Sequence, residues 1–143
     1  GADAAIDAKV KTPDEVLKEY GALLKSRGLP NYGWKIFEVS GSKPGQETAL
    51  AMLGFVGTLV IVGFNMANVE YSVSRLMAFD AQIIGTWGCL PERYPAVLWL
   101  VLGGAFQIEP FVELRPMSSI VETFNDIHSN GAPSKRIVLT PDF

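Results

Sequence analysis

Three short apolar runs, each ending at or beside a glycine, constrain the fold of this chain more than any other feature. They span residues 35–39, 58–62 and 82–86, and the glycines follow at intervals of 22 residues: Gly41, Gly63 and Gly85. Runs of five residues rich in Ile, Val, Phe and Thr are typical of parallel strands that are buried on both faces. A segment of helical length joins the first two runs, so the pattern predicts a right-handed parallel βαβ unit.

The same glycines predict where a ligand would bind. In an open parallel sheet, ligands collect outside the carboxyl ends of the strands. A glycine at such an end lets a ligand approach the backbone closely, because no side chain stands in the way. We therefore expect the three glycine-marked strand ends to lie side by side and to form the candidate site.

Composition narrows the classes of function. The chain has 143 residues, enough for one domain with a sizeable core. Its net charge of −3 gives no electrostatic footprint for nucleic acid, so no nucleic-acid partner is expected. The single cysteine, Cys89, excludes an internal disulfide framework and a thiolate metal cage. Residues 1–7 lack the basic region and apolar core of a signal peptide.

Residues 49–69 carry no charge over 21 residues, a length that can span a bilayer. Three glycines interrupt this stretch, and its composition changes from Ala and Leu to β-branched residues after Gly57. A buried helix followed by a buried strand explains the change. We therefore predict no membrane span and no membrane partner.

Two capping boxes predict helix starts. Thr12 with Glu15 begins a helix that ends at Gly28 and has an apolar face formed by Val16, Tyr20, Leu23 and Leu24. Ser119 with Glu122 predicts a second such start, for a helix whose inward residues are Ile120, Phe124 and Ile127.

Shorter patterns predict the remaining elements. Residues 4–8 are predicted as a short strand, residues 111–114 as another and residues 136–140 as the last. Pro44 is expected to begin the helix that joins the first two runs. A further helix begins at Pro91, and because it is apolar almost all round, it is predicted to be buried in a core or an interface.

No constellation of side chains indicates catalysis or metal binding within these residues. His128 is predicted to lie at the end of its helix, with a catalytic role as the alternative. Cys89 has no histidine near it in sequence, which favours a small packing residue over a reactive thiol. The segment 41–45 lacks the Gly-Lys-Ser/Thr ending of a phosphate loop, and Pro44 removes a backbone donor, so it is predicted to be a turn. We predict no catalytic residue and no metal ligand here.

Six motifs extend this pattern along the chain. They are IFEVSG at 36–41, GTLVIVG at 57–63, IGTWG at 84–88, PFVE at 110–113, PMS at 116–118 and KRIVLT at 135–140. Together they resemble the second half of the cofactor domain of the zinc-type medium-chain alcohol dehydrogenases, with that family's return to its catalytic domain.

The resemblance implies an α/β fold. It consists of the second half of a Rossmann-type parallel sheet, strands 4-5-6 with flanking helices, and a C-terminal strand–helix–strand segment that belongs with the catalytic domain. Residues 1–108 would form a partial NAD-binding domain and residues 109–143 the return segment, with residues 4–8 as strand 3. The family's Gly-rich turn, ribose-binding acid and zinc ligands would precede Gly1. The chain is thus expected to be a C-terminal fragment that does not turn over by itself.

The resemblance also implies which residues approach the cofactor. Beside the adenosine half of NAD it places Val39, Ser40 and Gly41. Near the nicotinamide and its ribose it places Val62, Gly63, Phe64, Ile84, Gly85 and Thr86. Arg136 resembles the family's pyrophosphate contact, a role that suits a guanidinium because its fork binds phosphate oxygens bidentately. The alternative is that the aliphatic members are core residues of a parallel sheet.

The implied parent is an NAD-dependent, zinc-containing alcohol dehydrogenase in the cytoplasm. Its small-molecule substrate would be a secondary alcohol, an alicyclic hydroxyacyl-CoA thioester, which it oxidises to a ketone as a homo-oligomer. Two alternatives stay open: a stand-alone α/β interaction or regulatory module, and a dehydrogenase of a simple sugar or alcohol.

The sheet edge gives one more expectation. In the family's strand order, the run 35–39 would have no neighbour on one side within this chain. Only Lys35 and Glu38 bring charge to that edge, and a bare apolar edge is a template for another chain. We therefore expect self-association, or residues 1–10 folded back onto a sheet edge.

Overall fold

The computed structural model describes residues 1–131 and 133–143. It divides into two units, Gly1–Gly88 and Cys89–Phe143, and each is described by itself. This division lies earlier in the chain than the predicted domain boundary at 108/109. The predicted boundary concerns which residues belong to the cofactor domain, and it stays a proposal.

Three parallel strands form the sheet of the first unit. They are β1 (Lys35–Glu38), β2 (Thr58–Ile61) and β3 (Gln82–Gly85), in the order β1-β2-β3. The register aligns Glu38 with Ile61 and Ile61 with Gly85, so the three carboxyl ends lie side by side. The predicted parallel sheet is confirmed, and it matches the expected strands 4-5-6 in order and direction.

Three helices accompany this sheet: α1 (Pro13–Ser26), α2 (Lys43–Met52) and α3 (Ser74–Phe79). The predicted capping box of α1 is present, because Thr12 accepts from the Glu15 amide and Glu15 accepts from the Thr12 amide. Helix α2 begins at Lys43, one residue before the predicted start at Pro44, with Ser42 as its cap.

The core of this unit lies between α2 and β2. Ala49, Leu53 and Leu59 are its buried residues. The prediction that all three runs are buried on both faces is wrong for β3, which is exposed at all four positions, and for β1, which is exposed at two. Both strands lie at edges of the sheet, where one neighbour is missing.

The strand predicted over residues 4–8 is wrong. In the described chain these residues form no strand, and β1 pairs only with β2, so the segment has no strand partner. Just before this segment, Arg27 Nη2 donates to Asp3 O at 2.7 Å.

The uncharged stretch 49–69 divides as predicted into the end of α2 and the strand β2. Among the described residues, no helix is both long and apolar enough to cross a membrane.

The second unit contains α4 (Tyr94–Leu102), β4 (Val112–Pro116), α5 (Ile120–Asn130) and β5 (Arg136–Thr140). The strands β4 and β5 pair in parallel, with Val112 opposite Arg136 and Pro116 opposite Thr140. This confirms the predicted strand–helix–strand segment, except that Phe111 belongs to a 3-10 turn before β4.

The second capping box is wrong. A 3-10 turn, Met117–Ser119, runs directly into α5, and Ser119 (φ −87°, ψ 11°) lacks the extended backbone that a capping residue adopts. Its hydroxyl donates to Pro116 O at 2.8 Å instead.

Burial in the second unit also differs from the prediction. Along α4, Tyr94, Leu98, Trp99 and Leu102 are more than half exposed, so no core formed by the described residues buries the helix. In α5 the buried residue is Thr123, whereas Phe124 is exposed. Burial of α4 in an interface stays a prediction.

Candidate cofactor site at the strand ends

Glu38 closes the carboxyl end of β1. It is only 4% exposed, although it is charged and lies at a strand end. Its Oε1 accepts hydrogen bonds from the Ser40 amide at 2.8 Å, from the Ser40 hydroxyl and from the Gly41 amide at 3.2 Å. The carboxylate therefore folds the chain into a tight turn immediately after the strand.

The backbone of Glu38 also fixes the end of β2. Its carbonyl oxygen accepts from the amides of Val62 and Gly63, both at 2.9 Å. One residue thus binds the turn after β1 through its side chain and the turn after β2 through its main chain. The sequence predicted only that Glu38 brings charge to the sheet edge. This prediction is wrong because the side chain is buried.

Three glycines allow the two turns to approach each other. A Cβ atom placed on Gly63 would lie 2.2 Å from Gly41 N, and one on Gly41 would lie 2.7 Å from Phe64 O. A Cβ on Gly45, at the start of α2, would lie 2.1 Å from the Ser40 hydroxyl oxygen. Gly41 also has φ +58°, a conformation that disfavours side chains. The ends of β1 and β2 are therefore closed by backbone-to-backbone packing.

The end of β3 is open. Among the described residues, no atom lies within 4 Å of a Cβ placed on Gly85. A groove of ≈ 490 Å³ runs along this end and is lined in part by Val62, Gly63, Phe64, Thr86 and Trp87. The side chain of Trp87 is 92% exposed.

The segment 41–45 is not free to act as a phosphate loop. The Gly45 amide donates to the Ser42 hydroxyl at 3.2 Å, and the Gly41 amide is bound to Glu38. A Cβ on Gly45 would lie 3.2 Å from Glu38 Oε1, so the carboxylate sits at the positive end of α2. The negative charge that this helix end favours is supplied by the chain itself.

Arg136 lies in the second unit, at the first position of β5, and its side chain is exposed. Within the described part of the chain it takes part in no ion pair. The ion-paired arginine of this unit is Arg115, whose Nε donates to Glu113 at 2.7 Å and whose Nη1 donates to Asp126 at 3.2 Å. The Glu113 hydrogen bond, followed by that of Asp126, raises the pKa of Arg115.

The structure brings most of the predicted site residues together. In the first unit, the ends of three adjacent strands carry Val39, Ser40, Gly41, Val62, Gly63, Phe64, Ile84, Gly85 and Thr86. Arg136 belongs to the other unit. Sequence reasoning missed the buried role of Glu38 and the contact at Gly45. A charged residue within an apolar run was the available signal for Glu38.

No metal site is formed by these residues alone. In residues 1–131 and 133–143, no three His, Cys, Asp or Glu side chains lie together in a way that could hold an ion. Cys89 and His128 are both exposed. The side chains present therefore do not fit a zinc ion.

The parallel sheet with its strand-end site defines an α/β protein of the Rossmann type. The sequence model of a family described as zinc-binding dehydrogenase matches residues 1–102, and the chain belongs to that family. A search of curated proteins finds no match.

Solved structures agree on the fold. An alcohol dehydrogenase from Aeropyrum pernix has a TM-score of 0.76 and 21% identity over 99% of this chain and 38% of its own. Benzyl alcohol dehydrogenase from Acinetobacter calcoaceticus has a TM-score of 0.71 and 22% identity over 98% and 38%. A zinc-binding dehydrogenase from Sinorhizobium meliloti 1021, bound to NADP, has a TM-score of 0.62 and 20% identity over 75% and 31%. The chain thus spans less than two fifths of each.

Proposed function

We propose that the complete protein is an NAD-dependent dehydrogenase that oxidises a secondary alcohol to a ketone, and that this chain supplies part of its cofactor domain. Bound NAD would accept the hydride from the alcohol carbon. The residues of this chain would bind and orient the dinucleotide. Family membership supports this reading over a stand-alone interaction module.

The observation that carries the proposal is the empty space around Gly85. A glycine within a strand weakens the strand. It is usually found there because of a bulge, a positive φ or the close approach of another group. Gly85 pairs regularly with Ile61, has no positive φ, and meets no described atom within 4 Å of its Cβ position. Nothing inside the described chain requires a glycine there, which supports the approach of a ligand.

The chain's own hydrogen bonds limit how the other predicted residues would contact NAD. The amides of Ser40 and Gly41 are already bound to Glu38, so this turn would offer carbonyl oxygens and Cα surface to the adenosine half. The groove formed by Val62–Phe64 and Gly85–Trp87 would receive the nicotinamide side. Arg136 would bind the pyrophosphate, since an exposed guanidinium can take phosphate oxygens bidentately.

We propose that the zinc ligands of the complete protein lie outside the described residues. The chain by itself is then expected to bind NAD weakly and to show no turnover. The proposed oligomer would bury the exposed apolar face of α4, and the proposed location is the cytoplasm.

For the substrate we propose an alicyclic hydroxyacyl-CoA thioester. Residues 76–89 and the terminal segment 140–143 resemble 6-hydroxycyclohex-1-ene-1-carbonyl-CoA dehydrogenase of anaerobic benzoyl-CoA breakdown. A simple alcohol or sugar is the second candidate, and the benzyl alcohol dehydrogenase among the structural neighbours favours the alcohol. Turnover of the complete protein with 6-hydroxycyclohex-1-ene-1-carbonyl-CoA, benzyl alcohol and a sugar alcohol, each with NAD and with NADP, separates the candidates by NAD(P)H absorbance.

The cofactor site is tested by Gly85→Val in the complete protein. The strand accepts a β-branched residue and the space is empty, so the unfolding temperature should change little. The side chain would occupy the groove, and the KM for NAD should rise at least about tenfold, which is about 1.4 kcal/mol of binding.

Gly21→Val is the matched control. Gly21 lies in α1 and also meets no described atom within 4 Å of a Cβ. This variant should leave the KM for NAD unchanged. An unchanged KM in Gly85→Val would remove the β3 end from the cofactor site.

A further inference from the structure

We infer that Glu38 is a positioning residue of the cofactor site, a role that rests on the proposed function. Its carboxylate holds the turn after β1 at a fixed distance from the turn after β2. The two turns are the ones proposed to receive the dinucleotide. Glu38 would act on the cofactor through Ser40, Gly41 and Gly63, without touching it.

The two carboxylate oxygens of Glu38 have different surroundings. Oε1 accepts three hydrogen bonds, two from Ser40 and one from Gly41. Oε2 is buried and has no hydrogen-bond partner among the described residues. It lies 2.8 Å from the Cβ position of Gly63, so this oxygen packs against the backbone of the second turn.

A buried polar atom without a partner is uncommon and asks for a reason. An exposed Ser, Asp or Asn can close a turn after a strand without burying a charge. Here the carboxylate is buried between two turns, and the main-chain carbonyl oxygen of Glu38 accepts from the Val62 and Gly63 amides as well. This arrangement fixes both turns relative to one residue, which is what a preformed site requires.

Removing the carboxylate would release three donors at once. In Glu38→Ala, the Ser40 amide, the Ser40 hydroxyl and the Gly41 amide lose their acceptor, and the turn can move away from Gly63. Glu38→Gln keeps a carbonyl oxygen that can take the place of Oε1. If Glu38 only stabilised the fold, its replacement would lower the stability without changing the affinity of the folded protein for NAD.

The experiment compares Glu38→Ala, Glu38→Gln and Leu24→Ala in the complete protein. Leu24 is a buried residue of α1 and belongs to neither turn, so it serves as the control for lost stability. Measurements are made well below each unfolding temperature. We expect Glu38→Ala to raise the KM for NAD at least about tenfold with kcat within about twofold at saturating NAD, the pattern of lost uniform binding.

Glu38→Gln should bring the KM back to within about threefold of the original protein. Leu24→Ala should lower the unfolding temperature and leave the KM unchanged. An unchanged KM in Glu38→Ala, or an equal rise in Leu24→Ala, would overturn the positioning role.

Amide hydrogen exchange separates this inference from the proposed function. Glu38→Ala should speed the exchange of Ser40 and Gly41 at least about tenfold relative to Leu24→Ala, whether or not the protein turns over NAD. A protein without nicotinamide-dependent activity would refute the proposed function alone. Unchanged protection of both amides would refute the positioning role alone.

Discussion

The ends of β1 and β2 differ from the end of β3, although the sequence marks all three with a glycine. At the first two ends, Gly41 and Gly63 are in backbone contact, and a Cβ on either would clash. At the third, the Cβ position of Gly85 is surrounded by empty space. The same residue type therefore stands in two different surroundings, backbone packing at the first two ends and open space at the third.

The register explains why equal spacing in sequence gives unequal positions. Gly85 is the last residue of β3 and lies opposite Ile61. Gly41 and Gly63 follow the last residues of their strands, Glu38 and Ile61, by three and two positions. A glycine beyond the strand end turns the chain, whereas a glycine within the strand removes a side chain from a surface.

The largest expected effect comes from Gly63→Ala. Its Cβ would lie 2.2 Å from Gly41 N and 2.6 Å from Gly41 Cα, and backbone cannot move aside as a side-chain tip can. We expect a loss of about 3 kcal/mol in the free energy of unfolding, the upper part of the range for overpacking. Gly85→Ala, the matched variant, should change it by less than about 0.5 kcal/mol. Denaturant unfolding measures both, and equal losses would remove the distinction between the two ends.

The sequence allowed prediction of the elements whose signals are local. The α1 cap follows from its capping box, and the strands of both sheets follow from their apolar, β-branched runs, whereas the capping box predicted for α5 is not formed. Burial was predicted less well. The composition of β3 and α4 predicted that both are buried, but the exposure of an element depends on its neighbours in space, which a local sequence pattern does not contain. For the same reason, the sequence located the strand ends but did not distinguish the packed glycines from the open one.

The second prediction tests the proposed role of Arg136 in binding NAD. In the complete protein, Arg136→Ala should weaken NAD binding by about 1.5–3 kcal/mol, the range for hydrogen bonds to a charged group. Lys135→Ala removes the same charge from the neighbouring position and should have a smaller effect, because a lysine lacks the bidentate fork. Calorimetric titration with NAD measures both. Equal effects of the two variants would assign the contribution to net charge and remove Arg136 from the site.

The third prediction concerns the outer edge of β1, which the described residues leave unpaired. Phe37 is 64% exposed there, and buried Glu38 brings no charge to the solvent. The 143-residue chain should therefore self-associate, and Phe37→Lys should raise the dissociation constant at least about tenfold, since lysine blocks edge pairing. Sedimentation velocity measures this. A monodisperse monomer before any substitution would contradict the open edge as a docking template.

The smallest expected effect comes from Asp142, an exposed carboxylate whose hydrogen-bond donors are of the same kind as those of the buried Glu38. Asp142 accepts from the Ser118 amide at 3.0 Å and from the Ser118 hydroxyl, as Glu38 does with Ser40, but Asp142 is exposed. The Ser118 hydroxyl, and then its amide, lowers the pKa of Asp142. A lowered folded-state pKa gives stability that is present above the unfolded pKa of an aspartate and is lost as the pH falls through the folded value. Asp142→Asn should therefore lower the unfolding temperature slightly at pH 7, and this difference should shrink as the pH falls through the folded-state pKa of Asp142, while Glu38→Ala should lower the unfolding temperature more at pH 7. An equal shift from the two variants at pH 7 would mean that burial adds nothing to this pair of hydrogen bonds.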